Sequence, residues 1–249
     1  VQKLQQLFAA ASTQTTKEDL LPHLRRLLFI RSQRQRGRPT LLLATTATNL
    51  AVQLISSSSK GRGFVLPNEL GYVEAIKQDD GPEVTFAQPL KEFLDREIYF
   101  YSHKKRLNYF PSLPYTLVLA KSGLKGVGPK SSINILTYNF ITGLQRDFNH
   151  TVHTLLGSAD KLYVNEGELK DADTAPVHYQ YCGLCAHLLS REERKTKSEG
   201  PVLCYSCRVL AAENTQKGLV QQYAQHSAQT LNGRLKQEIQ EFLLEDNNS

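Results

Sequence analysis

The sequence predicts a layered α/β body followed by a four-cysteine module and a terminal helix. Three observations carry that reading. A strand-turn-helix unit stands at TLLLATTATNLAVQLIS, helical apolar spacing recurs between residues 89 and 155, and Cys182, Cys185, Cys204 and Cys207 form two C-x2-C pairs. With 249 residues, 40% of them hydrophobic, the chain can bury a substantial core in one or two domains. Its formal charge of +6 favours polyanions such as RNA without singling one out. No apolar run approaches the roughly 20 residues that cross a bilayer. The start, VQKLQQLFAAAS, lacks the charged-then-apolar order of a secretion signal, so a soluble cytoplasmic protein without a membrane partner is expected. The sequence contains no methionine, from which we expect residues upstream of Val1 to have been removed and the α/β body to lack its first strands.

A first helix is expected from Thr16, with Thr16 and Asp19 in capping-box-like spacing, Leu20, Leu24, Leu27 and Leu28 as its apolar series, and Arg31, Arg34 and Arg36 before Gly37. Thr40 to Ala44 reads as a short buried strand. Leu50, Ala51, Leu54 and Ile55 then repeat at helical spacing. The polar stretch SSSSKGRG reads as a loop, ahead of weaker strand signals at Leu70 to Ala75 and Glu83 to Ala87. Pro89 is expected to open an amphipathic helix whose core stripe is Leu90, Phe93, Leu94, Ile98 and Tyr101. Tyr109 to Lys130, rich in proline and glycine, reads as a long loop. From Ser131 one long helix is expected, with Ile133, Leu136, Phe140, Ile141, Leu144, Phe148, Val152 and Leu155 on its apolar side. The acidic stretch NEGELKDADTAP is a linker by composition, and a last helix is expected from about Ala211, with Leu231, Leu235, Ile239 and Phe242 on one side, docking on the body or on a partner. The resulting division is an α/β body over 1–164, a cysteine module over 165–212 and a C-terminal helix over 213–249.

The cysteine module is the most specific feature. Two C-x2-C pairs flank 18 intervening residues and use every cysteine in the chain. Two-residue gaps let both thiolates of a pair turn toward one ion, and four thiolates close the site to substrate. Structural Zn2+ fits this pattern first. An iron–sulfur cluster and a redox or sulfur-handling CxxC pair are the alternatives, and disulfides are disfavoured in a reducing compartment. His187 is expected to be an exposed side chain, and REERKTK, Arg191 to Lys197, a solvated loop placed where nucleic-acid-binding ribbons often make contacts.

Taken with the segment FAQPLKEFLDREIYFYSHKKRLNYF, the strand-to-helix unit TLLLATTATNLAVQLISSSSKGRG resembles the PP-loop tRNA thiolation proteins, which share the adenine nucleotide alpha hydrolase-like fold. SINILTYNFITGLQRDFNHTVHTLLGSADKL and the CxxC pairs are similar to the cytosolic tRNA 2-thiolation protein 2 branch, and the similarity runs from about Leu20 to Ala212. The resemblance implies a PP-loop-type body followed by a zinc ribbon. Catalytic PP-loop members adenylate the wobble uridine with ATP, which needs a phosphate-holding loop and carboxylates for Mg2+. They begin the helix with asparagine-alanine-aspartate-aspartate, whereas this chain has Thr46, Ala47, Thr48 and Asn49. SSSSKGRG follows a helix and is badly placed for phosphates; the topology puts the phosphate loop upstream of Val1. No cysteine remains outside the module to act as a sulfur nucleophile.

The resemblance therefore implies a non-catalytic subunit, with no ATP binding, that pairs as a heterodimer with a catalytic PP-loop thiolase. It would help that partner engage tRNA for 2-thiolation of wobble uridine 34, with sulfur arriving through a ubiquitin-like carrier. Two alternatives stay open: a catalytic PP-loop synthetase whose ATP loop lies outside this chain, and a stand-alone zinc-ribbon RNA-binding module. Lys104, Lys105 and Arg106, with Tyr109 and Phe110 beyond, interleave cations and aromatics as an RNA-binding surface would, although a helix C-terminus also favours such cations. Lys121, Lys125 and Lys130 offer a second patch and Arg31, Arg34, Arg36 and Arg38 a third.

Overall fold

The computed structural model describes Phe8, Ala11 and residues 13–77, 82–108, 132–164, 180–195 and 201–213. Helix α1 spans Gln14–Gln35 and starts three residues earlier than its N-cap was expected: Thr13, not Thr16, is extended and takes the Thr16 N–H on Oγ1 at 3.1 Å. Leu20, His23 and Ile30 are buried along it, whereas Leu28 is 63% exposed. The helix is capped at Arg36, and Gly37 just beyond it adopts φ +60°.

Strand β1, Thr40–Leu42, is shorter than expected and is not buried, since Leu42 is 67% exposed. It pairs parallel with β3, Val84–Ala87, which pairs antiparallel with β2, Val73–Ile76, giving the order β1-β3-β2. β1 therefore forms an edge among the described residues. Ile76, Val84 and Phe86 share one core with Ile30 of α1 and with Ala186, the residue that follows the first cysteine pair.

Between β1 and β2 lie α2, Ala47–Ser59, a 3-10 turn over Gly63–Val65, and α3, Leu66–Glu69. The serine run expected in a loop is the last turn of α2. Ser58 and Ser59 donate their hydroxyls to the carbonyls of Leu54 and Ile55, at 2.7 and 2.8 Å, which satisfies these side chains within the helix.

Pro89 does not open a helix. The chain turns through Gln88 to Phe93, and α4 runs from Asp95 to Lys104, where the Glu97 carboxylate takes the Leu94 N–H at 2.8 Å. Nor is the expected stripe a core: α4 buries no residue, and Phe93, Tyr99, Phe100 and Tyr101 are all exposed. Leu94, just before the helix, is the stripe member that enters the interior.

The single helix expected from Ser131 is two, α5 over Ile133–Asp147 and α6 over Thr151–Ala159, because Phe148 turns to extended backbone. Ile141 of α5 and Val152 and Leu156 of α6 close on Ala47, Leu50 and Ala51 of α2, while Leu136 and Phe140 face outward. Lys60 at the end of α2 bonds Asp19 at 2.7 Å and Asn134 at 3.0 Å, tying α1 to the start of α5. No described helix is long and apolar enough to cross a membrane.

Short helix α7 spans Arg191–Arg194 and α8 spans Tyr205–Glu213, beginning well before Ala211. The stretches 109–131, 165–179 and 214–249 contain the expected long loop, the linker and the Leu231 to Phe242 stripe; these lie outside the described residues.

Candidate metal centre

The first cysteine pair sits on a tight reversal. The Ala186 N–H donates to the Cys182 carbonyl at 2.9 Å, the Cys182 N–H to the His187 carbonyl at 2.8 Å, and Leu189 to Gln180 at 2.8 Å. Ala186 takes the left-handed conformation, φ +54°, so the chain folds back immediately after Cys185. The second pair opens α8: Cys204 precedes its first residue, Cys207 lies in its first turn, and Arg208 donates to the Cys204 carbonyl at 2.9 Å. Two cross-links join the pairs, from Gly183 N–H to the Val202 carbonyl at 3.0 Å and from Cys204 N–H to the Cys182 sulfur at 3.3 Å.

All four sulfurs lie within 4.8 Å of one another and all four residues are buried. Cys185 and Cys204 are 3.8 Å apart at Sγ. With metal–sulfur bonds of about 2.3 Å, tetrahedral geometry places neighbouring sulfurs about 3.8 Å apart, so the set fits one ion. Cluster ligands attached to different irons would stand further apart. Hydrogen bonds from Cys185, Cys204 and Cys207 hold the Cys182 thiol well below its usual range, and bonding to Cys182 pushes Cys185 and Cys207 up. A central divalent cation removes that conflict by favouring the thiolate at every position.

His187 is buried, not exposed as expected. Its Nε2 meets the Glu69 carboxylate at 2.6 Å and its Nδ1 meets Arg62 at 3.1 Å. Arginine only donates, so Nδ1 accepts and Nε2 carries the hydrogen toward Glu69. Arg62 also bonds Glu69 directly and reaches His23 Nε2 at 3.1 Å, while Gln53 donates to the other Glu69 oxygen at 2.8 Å. Burial would raise the Glu69 pKa, but His187 and Arg62 hold it well below the carboxylate range. Burial, reinforced by Arg62 and His187, pushes His23 well below the imidazole range. A second, half-buried pair lies alongside, where Arg26 holds Glu74 through two bonds of 2.8 and 2.6 Å and reaches the Ala186 carbonyl at 3.4 Å.

The cysteine pairs thus pack into the body, with Cys182, Cys185, Leu189, Cys207 and Leu210 sharing a core with Leu20 and Ala11. Sequence patterns alone do not disclose this network, although His187 so close to Cys185 and the KGR turn are visible signals of it. The front of the REERKTK segment is ordered: Ser190 and Glu193 form a capping box, and Glu193 accepts the Tyr205 N–H at 2.6 Å. It braces the second pair.

Lys104, Lys105 and Arg106 are exposed at the end of α4, with Lys105 Nζ 6.0 Å from the Tyr101 ring centre and Tyr99 stacked on His103. Arg31, Arg36 and Arg38 are exposed and Arg34 half-buried. Tyr109, Phe110, Lys121, Lys125 and Lys130 lie outside the described residues.

At the start of α2, Thr46 donates its hydroxyl to Asp95, and Asn49 donates to Thr46 Oγ1 at 2.9 Å and to Asp95 Oδ1 at 3.3 Å. The Asp95 N–H in turn meets Thr48 Oγ1 at 3.3 Å. The first turn of α2 carries no acidic residue.

A family model described as Cytoplasmic tRNA 2-thiolation protein 2 matches residues 132–199, from Ser132 ahead of α5 through the first cysteine pair. A protein of that name from Dictyostelium discoideum is 37% identical over 189 residues, covering 76% of this chain and 32% of its own length. Cytoplasmic tRNA 2-thiolation protein 2-B of Xenopus laevis is 29% identical over 301 residues, covering 98% of this chain and 56% of its own. The Homo sapiens relative is 31% identical over 159 residues, covering 64% and 28% respectively. The chain spans between about a quarter and somewhat over half the length of these relatives, whose names agree with the expected cytoplasmic location. The order of the motifs, the convergent cysteines and these matches together place the chain in the cytoplasmic tRNA 2-thiolation protein 2 family.

Proposed function

We propose that this chain is part of the non-catalytic subunit of a cytoplasmic tRNA thiolase, acting in 2-thiolation of wobble uridine 34. Its body is of the PP-loop type and its cysteine module a zinc ribbon holding one structural Zn2+ on Cys182, Cys185, Cys204 and Cys207. The partner is a catalytic PP-loop subunit, which receives sulfur through a ubiquitin-like carrier while this chain helps position the tRNA.

The observation that carries the non-catalytic reading is the start of α2. Where catalytic PP-loop proteins present carboxylates, Thr46, Thr48 and Asn49 are hydrogen-bonded to one another or to Asp95. Asp95, the carboxylate that reaches this helix end, is engaged by a hydroxyl and an amide and sits over the positive end of the α2 dipole. The arrangement serves as a cap joining α2 to α4. The convergence of all four thiols supports the same reading, because a closed four-thiolate site leaves no sulfur free to attack an activated base.

The test is reconstitution with purified full-length proteins, ATP, a sulfur donor and unmodified tRNA, reading 2-thiouridine by mass spectrometry. Product is expected only when the PP-loop partner is present. Thiolated uridine from this protein alone would overturn the assignment. For tRNA positioning, the exposed end of α4 is the described surface with suitable chemistry. Changing Lys104, Lys105 and Arg106 together to Glu is expected to weaken tRNA retention by the complex and to lower its salt slope by about one for each phosphate that is no longer neutralised. Unchanged retention at fixed salt sinks RNA binding by this patch.

A further inference from the structure

We propose that the metal centre is completed from outside the cysteine module by the Lys60-Gly61-Arg62 turn of the α/β body, with Arg62 as the positioning residue for the ligand set. This rests on the metal reading above. It goes further in assigning a role to a turn that contains no ligand.

The turn grips the two cysteine pairs at different points. Arg62 and Glu69 together hold the His187 side chain, and the His187 carbonyl accepts the Cys182 N–H at 2.8 Å, so the grip passes directly to the first ligand. Gly61 seats the second pair. A Cβ at Gly61 would lie 3.0 Å from two ring carbons of Tyr205, the residue that follows Cys204, and Gly61 itself stands at φ +73°. Lys60 pins the turn from the other side through Asp19 and Asn134. Gly61, Arg62 and Val65 line one small cavity with Cys185, Cys204 and Glu193, so the turn faces the ligand pairs directly.

Charge supports the same placement. A divalent ion on four thiolates leaves a net double negative charge in the interior, which needs dipoles or cations directed at it. The Arg62 side chain is 9% exposed and has Glu69 as its ion-pair partner, on the body. Burial alone would lower the Arg62 pKa, yet Glu69 first, and then Cys185, Cys207 and Cys204, hold it above its ordinary value. Arg62 lines the same small cavity as Cys185 and Cys204, which puts its positive charge beside the ligand set. The Arg26 bond to the Ala186 carbonyl and the Glu193 bond to Tyr205 each reach one pair, and Leu20 shares a core with both but brings no polar or charged group to them.

The test uses the full-length protein, loaded with Co2+ to report tetrahedral thiolate ligation by its absorption and titrated against a chromogenic chelator. Arg62→Met is expected to keep one ion per chain and the four-thiolate spectrum but to lose about 10- to 100-fold in affinity, the usual effect of removing an outer partner of a metal site. Arg62→Lys, which keeps the charge and loses the forked geometry, should fall between. Gly61→Ala leaves every charge in place and should weaken binding as well. Because Arg62→Met also strips Glu69 of its buried ion-pair partner, hydrogen exchange on the unaltered protein provides a second readout. Chelation is expected to raise exchange over residues 56–70 together with residues 180–195. A native protein that takes up no cobalt sinks the metal reading and this inference with it. If the native protein binds cobalt, while the variants match its affinity or residues 56–70 stay protected after chelation, the inference alone is overturned.

Discussion

Glu69→Leu tests how far the body depends on its buried charge network. Glu69 is fully enclosed and gives its carboxylate to Arg62, to His187 at 2.6 Å and to Gln53 at 2.8 Å. Leucine fills most of the volume but leaves the Arg62 guanidinium buried without a counter-ion. Removing one partner of such a pair costs about 3–5 kcal/mol, because the remaining charge keeps its desolvation penalty. Against a total stability of roughly 5–15 kcal/mol, that is a large fraction. At a urea dependence of about 3 kcal/mol per molar, the midpoint should drop by about 1–1.7 M. The chain has 11 tyrosines and no tryptophan, so tyrosine fluorescence and far-UV circular dichroism are the probes. The exposed pair Lys77–Glu83, 3.7 Å apart with side chains 59% and 46% exposed, is the internal control. Breaking it with Glu83→Ala should cost under about 1 kcal/mol. Combining Glu69→Leu with Arg62→Met should return part of the lost stability, since no unpaired charge then stays buried. If Glu69→Leu costs no more than Glu83→Ala, the network does not hold the body together and the reasoning fails.

Three further outcomes follow from the same residues. Leu20→Ala should cost about 2–5 kcal/mol, because Leu20 is completely buried against the cysteine module, whereas Leu28→Ala, at a 63% exposed position of the same helix, should stay within about 0.5 kcal/mol; urea midpoints separate them. Gly61→Ala should destabilise more than Gly37→Ala, since both positions have positive φ but only at Gly61 would the new methyl meet another residue, the Tyr205 ring; equal losses in thermal midpoint would show that backbone strain accounts for both. Because the folded-state pKa of His23 is depressed by burial, unfolding takes up a proton there, so the contribution of His23 to stability should hold above about pH 6.5 and fall as the pH drops below it. His23→Gln should flatten that part of the stability curve between about pH 5 and 7, and an unchanged slope would remove His23 as its source.

The sequence reveals most where a short pattern decides the structure by itself. The α2 periodicity, the strands near residues 73 and 84 and the two cysteine pairs all depend on neighbours a few positions away. Misreadings arise from signals that are locally ambiguous. Pro89 suits a first helical turn, but Leu94 with the Glu97 carboxylate makes the better start, and the residues between form turns. The apolar spacing runs unbroken through Phe148, yet Asn149 and His150 interrupt the helix there. His187 is misplaced by local reasoning because its partners come from far along the chain: Arg62 lies 125 positions away. A polar residue beside a surface-like segment reads as solvated until a buried carboxylate is known to face it. Nothing local reveals that carboxylate, because Glu69 ends a four-residue helix whose sequence, LPNE, looks like a surface turn.

The two ends of α2 then bear on one another. At its first turn Thr46, Asn49 and Asp95 form a cap between helices. Its last turn runs through the serines into Lys60, Gly61 and Arg62, which face the cysteine module. The helix has 13 residues, and at a rise of about 1.5 Å each it is a rod of roughly 20 Å joining the two places. Ala47, Leu50 and Ala51 are completely buried along it, so it does not shift as an independent element but moves with the core that α5 and α6 build on it. An ion held on the four cysteines, as proposed, would therefore fix the orientation of the other end. At its start α2 is joined through Asp95 to the exposed aromatic and basic helix α4. If the chain acts in tRNA thiolation as proposed, the metal would contribute at a distance, by holding rigid the framework from which that helix projects.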